Sequence, residues 1–226
     1  MKKIFLWLCL AGVVLSGCTS SKSGTTSTES ATSSNASGGS ASSSVHETVA
    51  TENKGYQGKI SFRNVGWGMS KEQVKASEDM KVEEEDHESI AYYSKILGLE
   101  SGLMYFFVDD QLVRAGYLVT EKHTNKNDYI ENYNDLKKSL TEKYGKPSSD
   151  DTLWKGELYK DTPSQWGMAV ATGELHYQAA WETEDTEILL DLQGDNFEPR
   201  LSLLYDSKEL KHLSEQQKDQ ELKKNL

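Results

Sequence analysis

Between Thr19 and Ser44, 17 of 26 residues are serine or threonine, and only Lys22 and Glu29 are charged. Such a stretch cannot bury enough apolar surface to offset its own chain entropy, so no core can form within it. Residues 19–54 therefore read as a disordered Ser/Thr-rich linker, with an r.m.s. span of roughly 30 Å if it behaves as a flexible coil. Folding is confined to the chain beyond this linker. Residues 55–206 have ordinary globular chemistry and suit one domain, since a chain of ~150 residues buries roughly 68–70% of its unfolded surface. The tail, 207–226, is charged and reads as a frayed helix, with Leu210 and Leu213 as its docking candidates.

The chain has two cysteines, Cys9 and Cys18, both ahead of the linker. The domain can therefore form no disulfide, thiolate metal site or cysteine nucleophile, and packing alone must hold it. Residues 55–206 carry 16 basic and 29 acidic side chains, a net charge of −13. A surface this acidic repels phosphate backbones and argues against a nucleic-acid partner. Otherwise the carboxylates read as ordinary solvation.

Met1-Lys2-Lys3 is followed by an apolar run from Ile4 to Val14. That run fits a secretory h-region and is shorter than the ~20 residues a permanent span needs. Leu15-Ser16-Gly17-Cys18 then resembles the lipobox of bacterial lipoproteins. The resemblance implies a signal peptide over 1–18, with Cys18 as the new N-terminus carrying acyl chains, palmitate among them. It also implies attachment to the extracytoplasmic face of the cell membrane, and more than one chain makes such anchoring stable.

Within the domain, Ser70-Lys-Glu-Gln73 is a capping box and predicts a short helix over about 70–79 with Val74 inward. Gly66-Trp67-Gly68-Met69 sets one large anchor between two glycines. Residues 90–120 predict an antiparallel meander. Leu103, Tyr105 and Phe107 alternate with Met104, Phe106 and Val108, so both faces are apolar and the strand is central, and Asp109-Asp110 makes a tight turn. Glu83-Glu84-Glu85-Asp86 reads as a solvated loop. Asp128 with Glu131 opens a second helix, whose stripe is Tyr129, Tyr133, Leu136, Leu140 and Tyr144. Gly145 in the left-handed position and Pro147 end it. Further strands are predicted around Leu175–Trp181, Ile188–Leu192 and Leu201–Tyr205. The expected class is α+β: an antiparallel sheet with two helices on one face, arranged as two α-then-β-meander halves.

Trp67 to Val74, and Tyr144-Gly145-Lys146-Pro147 with Trp154, resemble the helix opening and strand approach of small bacterial lipoprotein domains. These include β-lactamase-inhibitor-like domains and the small lipoprotein of the outer-membrane assembly machine. The resemblance implies a domain that works by binding proteins.

Local signatures of catalytic or metal chemistry are sparse. His46, His87, His123, His176 and His212 show no i, i+3 or i, i+4 pairing, and there is no HExxH, G-x-S-x-G or phosphate-cradling glycine loop. Asp191, Asp195, Asn196 and Glu198 could supply oxygens to calcium, but with Gly194 and Pro199 a turn is the better reading. No catalytic, metal or cofactor residue is assigned. Trp154 and Trp166 flank an irregular segment and are the candidate binding pair. Trp181, Tyr133 and Tyr105 read as core.

The expected function is a membrane-anchored, non-enzymatic binding or scaffolding domain for a protein or envelope polymer. The alternative is an envelope hydrolase built from scattered carboxylates and His176. A solute-binding lipoprotein ranks last, because the domain is too small for two hinged lobes.

Overall fold

The structure, a computed structural model, describes residues 56–216. Cys18, the 19–54 linker and the end of the tail lie outside the described residues. Those described form an α+β domain built on an eight-stranded antiparallel sheet in the order β1-β2-β3-β4-β8-β7-β6-β5. The strands are β1 (Val82–Glu85), β2 (Ser89–Ile96), β3 (Leu99–Val108), β4 (Gln111–Val119), β5 (Ser149–Trp154), β6 (Leu175–Glu182), β7 (Thr186–Asp195) and β8 (Glu198–Ser207). Helix α1 (Lys71–Ser77) precedes β1, α2 (Asn127–Tyr144) links β4 to β5, and α3 (Trp166–Ala171) precedes β6.

Local chemistry accounts for most of these boundaries. Both arms of the capping box are made: the Gln73 amide donates to Ser70 Oγ at 3.3 Å, and the Ser70 amide to Gln73 Oε1 at 2.9 Å. Caps of this kind are worth about 1 kcal/mol. In α2 the expected stripe is buried at Tyr129, Tyr133, Leu136 and Leu140. Its opening differs from the expectation. Lys126 occupies the cap position without a side-chain cap, and Asp128 lies in the first turn. The neighbouring Asn125 Oδ1 accepts the Asn127 amide at 3.1 Å. Gly145 closes the helix at φ 84°, ψ −167°, a positive-φ region outside the left-handed helical well and open essentially to glycine.

Three hairpins use two-residue turns with positive φ at both central residues. These are Leu97-Gly98, Asp109-Asp110 and Asn196-Phe197, the geometry whose twist matches that of the flanking strands. The last confirms a turn between Asp195 and Glu198, whereas Asp191 sits inside β7. The Glu83-Glu84-Glu85 run is corrected: it lies in the edge strand β1, paired with β2. Charge on an edge discourages pairing with another chain, so a run that looks like a loop by composition is a protected edge. The opposite edge, β5, is similarly guarded by Asp150 and Asp151.

The two meanders, β1–β4 and β5–β8, meet where β4 pairs with β8 across Arg114↔Asp206 and Tyr117↔Leu203. At this seam a side chain on Gly116 would stand 2.4 Å from the Leu203 carbonyl oxygen, so only glycine admits the approach of the strands. One hydrophobic cluster unites Tyr92, Tyr105, Tyr117, Leu203, Leu190 and Trp181 of the sheet with Val74 of α1, the α2 stripe, and Ala169 and Val170 of α3. In the tail, a helical turn covers 211–216, and Leu210 comes within 3.8 Å of where a Gly68 side chain would begin.

Candidate functional site

Alternation along each strand sends every second side chain to the other side of the sheet from the cluster. There the register aligns Ala91, Met104, Gly116, Leu204, Leu189 and Ala180 in one row across six strands. A second row contains Phe106, Arg114, Asp206 and Glu187, with Arg114 Nε 2.5 Å from Asp206 Oδ1. A third contains Tyr93, Leu118, Ser202, Asp191 and Gln178. Aromatic and aliphatic groups thus gather toward β2–β4, with Tyr93 55% exposed. Carboxylates gather toward β6–β8. The apolar alternates of β3 are visible in the sequence, but the row they join spans strands 90 residues apart and requires the register.

His176 lies on this same side. Its Nε2 is 2.5 Å from Asp191 Oδ1, and Ser202 pairs with Asp191 on the next strand. The order is histidine, aspartate, serine. The carboxylate stands between the other two, so the histidine is not placed to take a proton from the serine as a nucleophilic triad needs. Among the described residues, no three His, Cys, Asp or Glu side chains gather as a metal group.

Trp154 and Trp166 are brought together, with ring centroids 5.9 Å apart and planes at 71°. Both are half-buried against the core, and the Trp166 indole donates to the Lys160 carbonyl at 3.1 Å. The edge-to-face contact leaves no continuous flat platform. Leu158 in the intervening loop is 74% exposed.

Two features on the cluster side escape sequence reasoning. The first is a buried polar network. Arg63 Nε and Nη2 donate to the two oxygens of Glu78 at 3.0 Å each, and Nη1 donates to the Tyr117 hydroxyl at 3.0 Å. The Tyr105 hydroxyl also donates to Glu78. Burial opposes the Arg63 charge, but the Glu78 and Tyr117 partners outweigh it and raise its pKa. Burial and the Glu78 charge raise the Tyr105 hydroxyl. Arg63 adopts φ +48°, a strained conformation for a residue with a side chain, and the bidentate pair holds it there.

The second is a cavity of about 330 Å³ between the middle of the sheet, the C-terminal half of α2, the 61–63 segment and the β2–β3 hairpin. Tyr117, Tyr144 and Tyr205 line it, with Leu136, Leu140 and Lys143 from α2. Burial and a hydrogen bond with Tyr144 push the Tyr205 hydroxyl well above its ordinary range. Leu136, Leu140 and Tyr144 belong to the stripe that the sequence shows. That the stripe stops short of the sheet centre and leaves a void is a tertiary property.

No curated protein and no solved structure is significantly similar to this chain. A family model described as "Uncharacterised protein" matches residues 62–225, most of the folded part, and the chain belongs to that family.

Proposed function

We propose that this chain is a lipoprotein held at the extracytoplasmic face of a cell membrane by acyl chains on Cys18, and that its domain is a non-enzymatic binding or scaffolding module. In this reading α1 and α2 both lie on the cluster side of the sheet, as two α-then-β-meander halves, and the opposite side receives a protein or envelope polymer. The carrying observation is the row from Ala91 to Ala180. Its apolar side chains are part-exposed at Leu204, Leu189 and Ala180 and buried at Ala91 and Met104, beside aromatic groups on one half and carboxylates on the other. The partner that complements it offers an apolar strip next to basic groups. The half-buried Trp154–Trp166 pair with exposed Leu158 supports a second contact at the β5 end.

The test places a photo-crosslinking residue at Leu204 in whole cells, with the exposed Glu184 as control. A discrete envelope adduct from position 204, absent from 184 and lost on Leu189→Lys, is the expected result. Equal labelling from both positions, or none from 204, refutes the face assignment. For the anchor, Cys18→Ser is expected to release the chain from the membrane fraction, and unchanged retention refutes it.

A further inference from the structure

We propose that the cavity beside α2 binds a small amphipathic anion, a carboxylate borne on an apolar body. The inference does not rest on the sheet-face reading and concerns the other side of the sheet. At about 330 Å³ the cavity lies at the lower end of the roughly 300–1,000 Å³ typical of ligand pockets. It equals about eleven times the roughly 30 Å³ that a water molecule occupies in the liquid, room for a body of about a dozen heavy atoms.

Charge selects the ligand class. The chain has 36 acidic and 25 basic residues, yet the cavity lining includes Arg63 and Lys143 and no carboxylate. The two cations are not equivalent. Arg63 is occupied by Glu78 and serves to fix the Tyr117 hydroxyl, which accepts from it and keeps its own proton to donate. Lys143 has no carboxylate at salt-bridge distance among the described residues. Its contact is the Tyr144 ring, 4.9 Å from centroid to ammonium. Nearby, Asp185 accepts from Ser61 at 2.6 Å and is offset by Lys59 at 3.5 Å. A carboxylate at the mouth would meet the Lys143 ammonium and tyrosine hydroxyls. Its apolar body would lie against Leu136, Leu140 and Leu203. Leu97, 58% exposed on the β2–β3 hairpin, forms part of the rim.

The experiment titrates 2-naphthoate calorimetrically into the purified full chain, in nanodiscs if it inserts into them and in buffer if it does not, with matching chain-free blanks and neutral 2-naphthol as the comparison. Expected are saturable one-to-one binding with Kd below about 1 mM and naphthol at least ten-fold weaker. Lys143→Gln should weaken naphthoate about five-fold or more and leave naphthol unchanged. Ser139→Trp, at the half-buried rim, should abolish both while the melting temperature stays within a few degrees. Absence of heat above the blank, equal affinity for naphthol, or indifference to Lys143→Gln overturns the proposal.

Discussion

Replacing Arg63 with alanine removes one partner from a carboxylate whose side chain is only 1% exposed, while the guanidinium itself is 32% exposed. Breaking a buried ion pair from one side costs about 3–5 kcal/mol, because the remaining charge is left uncompensated. Water can reach Glu78 through the space the guanidinium vacates, which places the expected loss at the lower end, about 3 kcal/mol. Arg63→Gly removes the same charge but relieves the φ of +48°, recovering about 1 kcal/mol, for a net loss of about 2. A domain of this size shifts by about 2–4 °C per kcal/mol, so the alanine variant should melt about 6–12 °C below the parent and the glycine variant about 2–4 °C above alanine. The triple replacement Arg63→Met, Glu78→Leu, Tyr105→Phe removes three of the four polar groups together, leaving the Tyr117 hydroxyl at the cavity, and should recover most of the loss. Circular-dichroism melts of the four chains decide it. If alanine and glycine melt together, or the triple variant melts no higher than alanine, the account of a strained, paired arginine is wrong.

Two further outcomes concern the turns. Phe197 is 63% exposed at φ +64°, so Phe197→Gly should raise stability by about 1 kcal/mol, read as a higher melting temperature; a lower one shows that the ring makes contacts that matter. Burial would raise the Asp185 carboxyl, but hydrogen bonds from Ser61, Thr183 and Thr186, helped by Lys59, hold it down to about 2 against an ordinary 3.8. Its contribution, about 2 kcal/mol, is therefore complete above about pH 4 and lost as pH falls through about 2. Melts of Asp185→Asn should converge on the parent over that interval, and a gap independent of pH contradicts the assignment.

Elements with a strong local code were readable from the residues alone. The capping box at Ser70, the α2 stripe and the Asp109-Asp110 turn each depend on neighbours within a few positions. The acidic strand β1 was not readable, since its pairing with Ala91 and Tyr92 overrides a composition poor in strand formers. Helix α3 was hidden for a related reason: Trp166-Gly-Met-Ala-Val-Ala is short, and its buried side chains give no periodic contrast. The Trp154–Trp166 contact follows from two residues flanking one loop. The Arg63–Glu78–Tyr105–Tyr117 network joins a turn, a helix end and two strands, and no sequence spacing announces it. The row from Ala91 to Ala180 likewise needs the β4–β8 register.

Placing the C-terminal strand of the domain in the middle of the sheet makes damage there categorical. A premature stop or proteolytic cut that removes 198–207 would bisect the sheet, stranding a four-stranded ribbon, β1–β4, and a three-stranded one, β5–β7, with bare hydrogen-bonding margins. Because Arg114 must wait some ninety residues for Asp206, a ribosome-bound chain holds its first ribbon unmated until the whole second meander has been made. The interval in which such a margin can capture a stranger is built into the order of the strands.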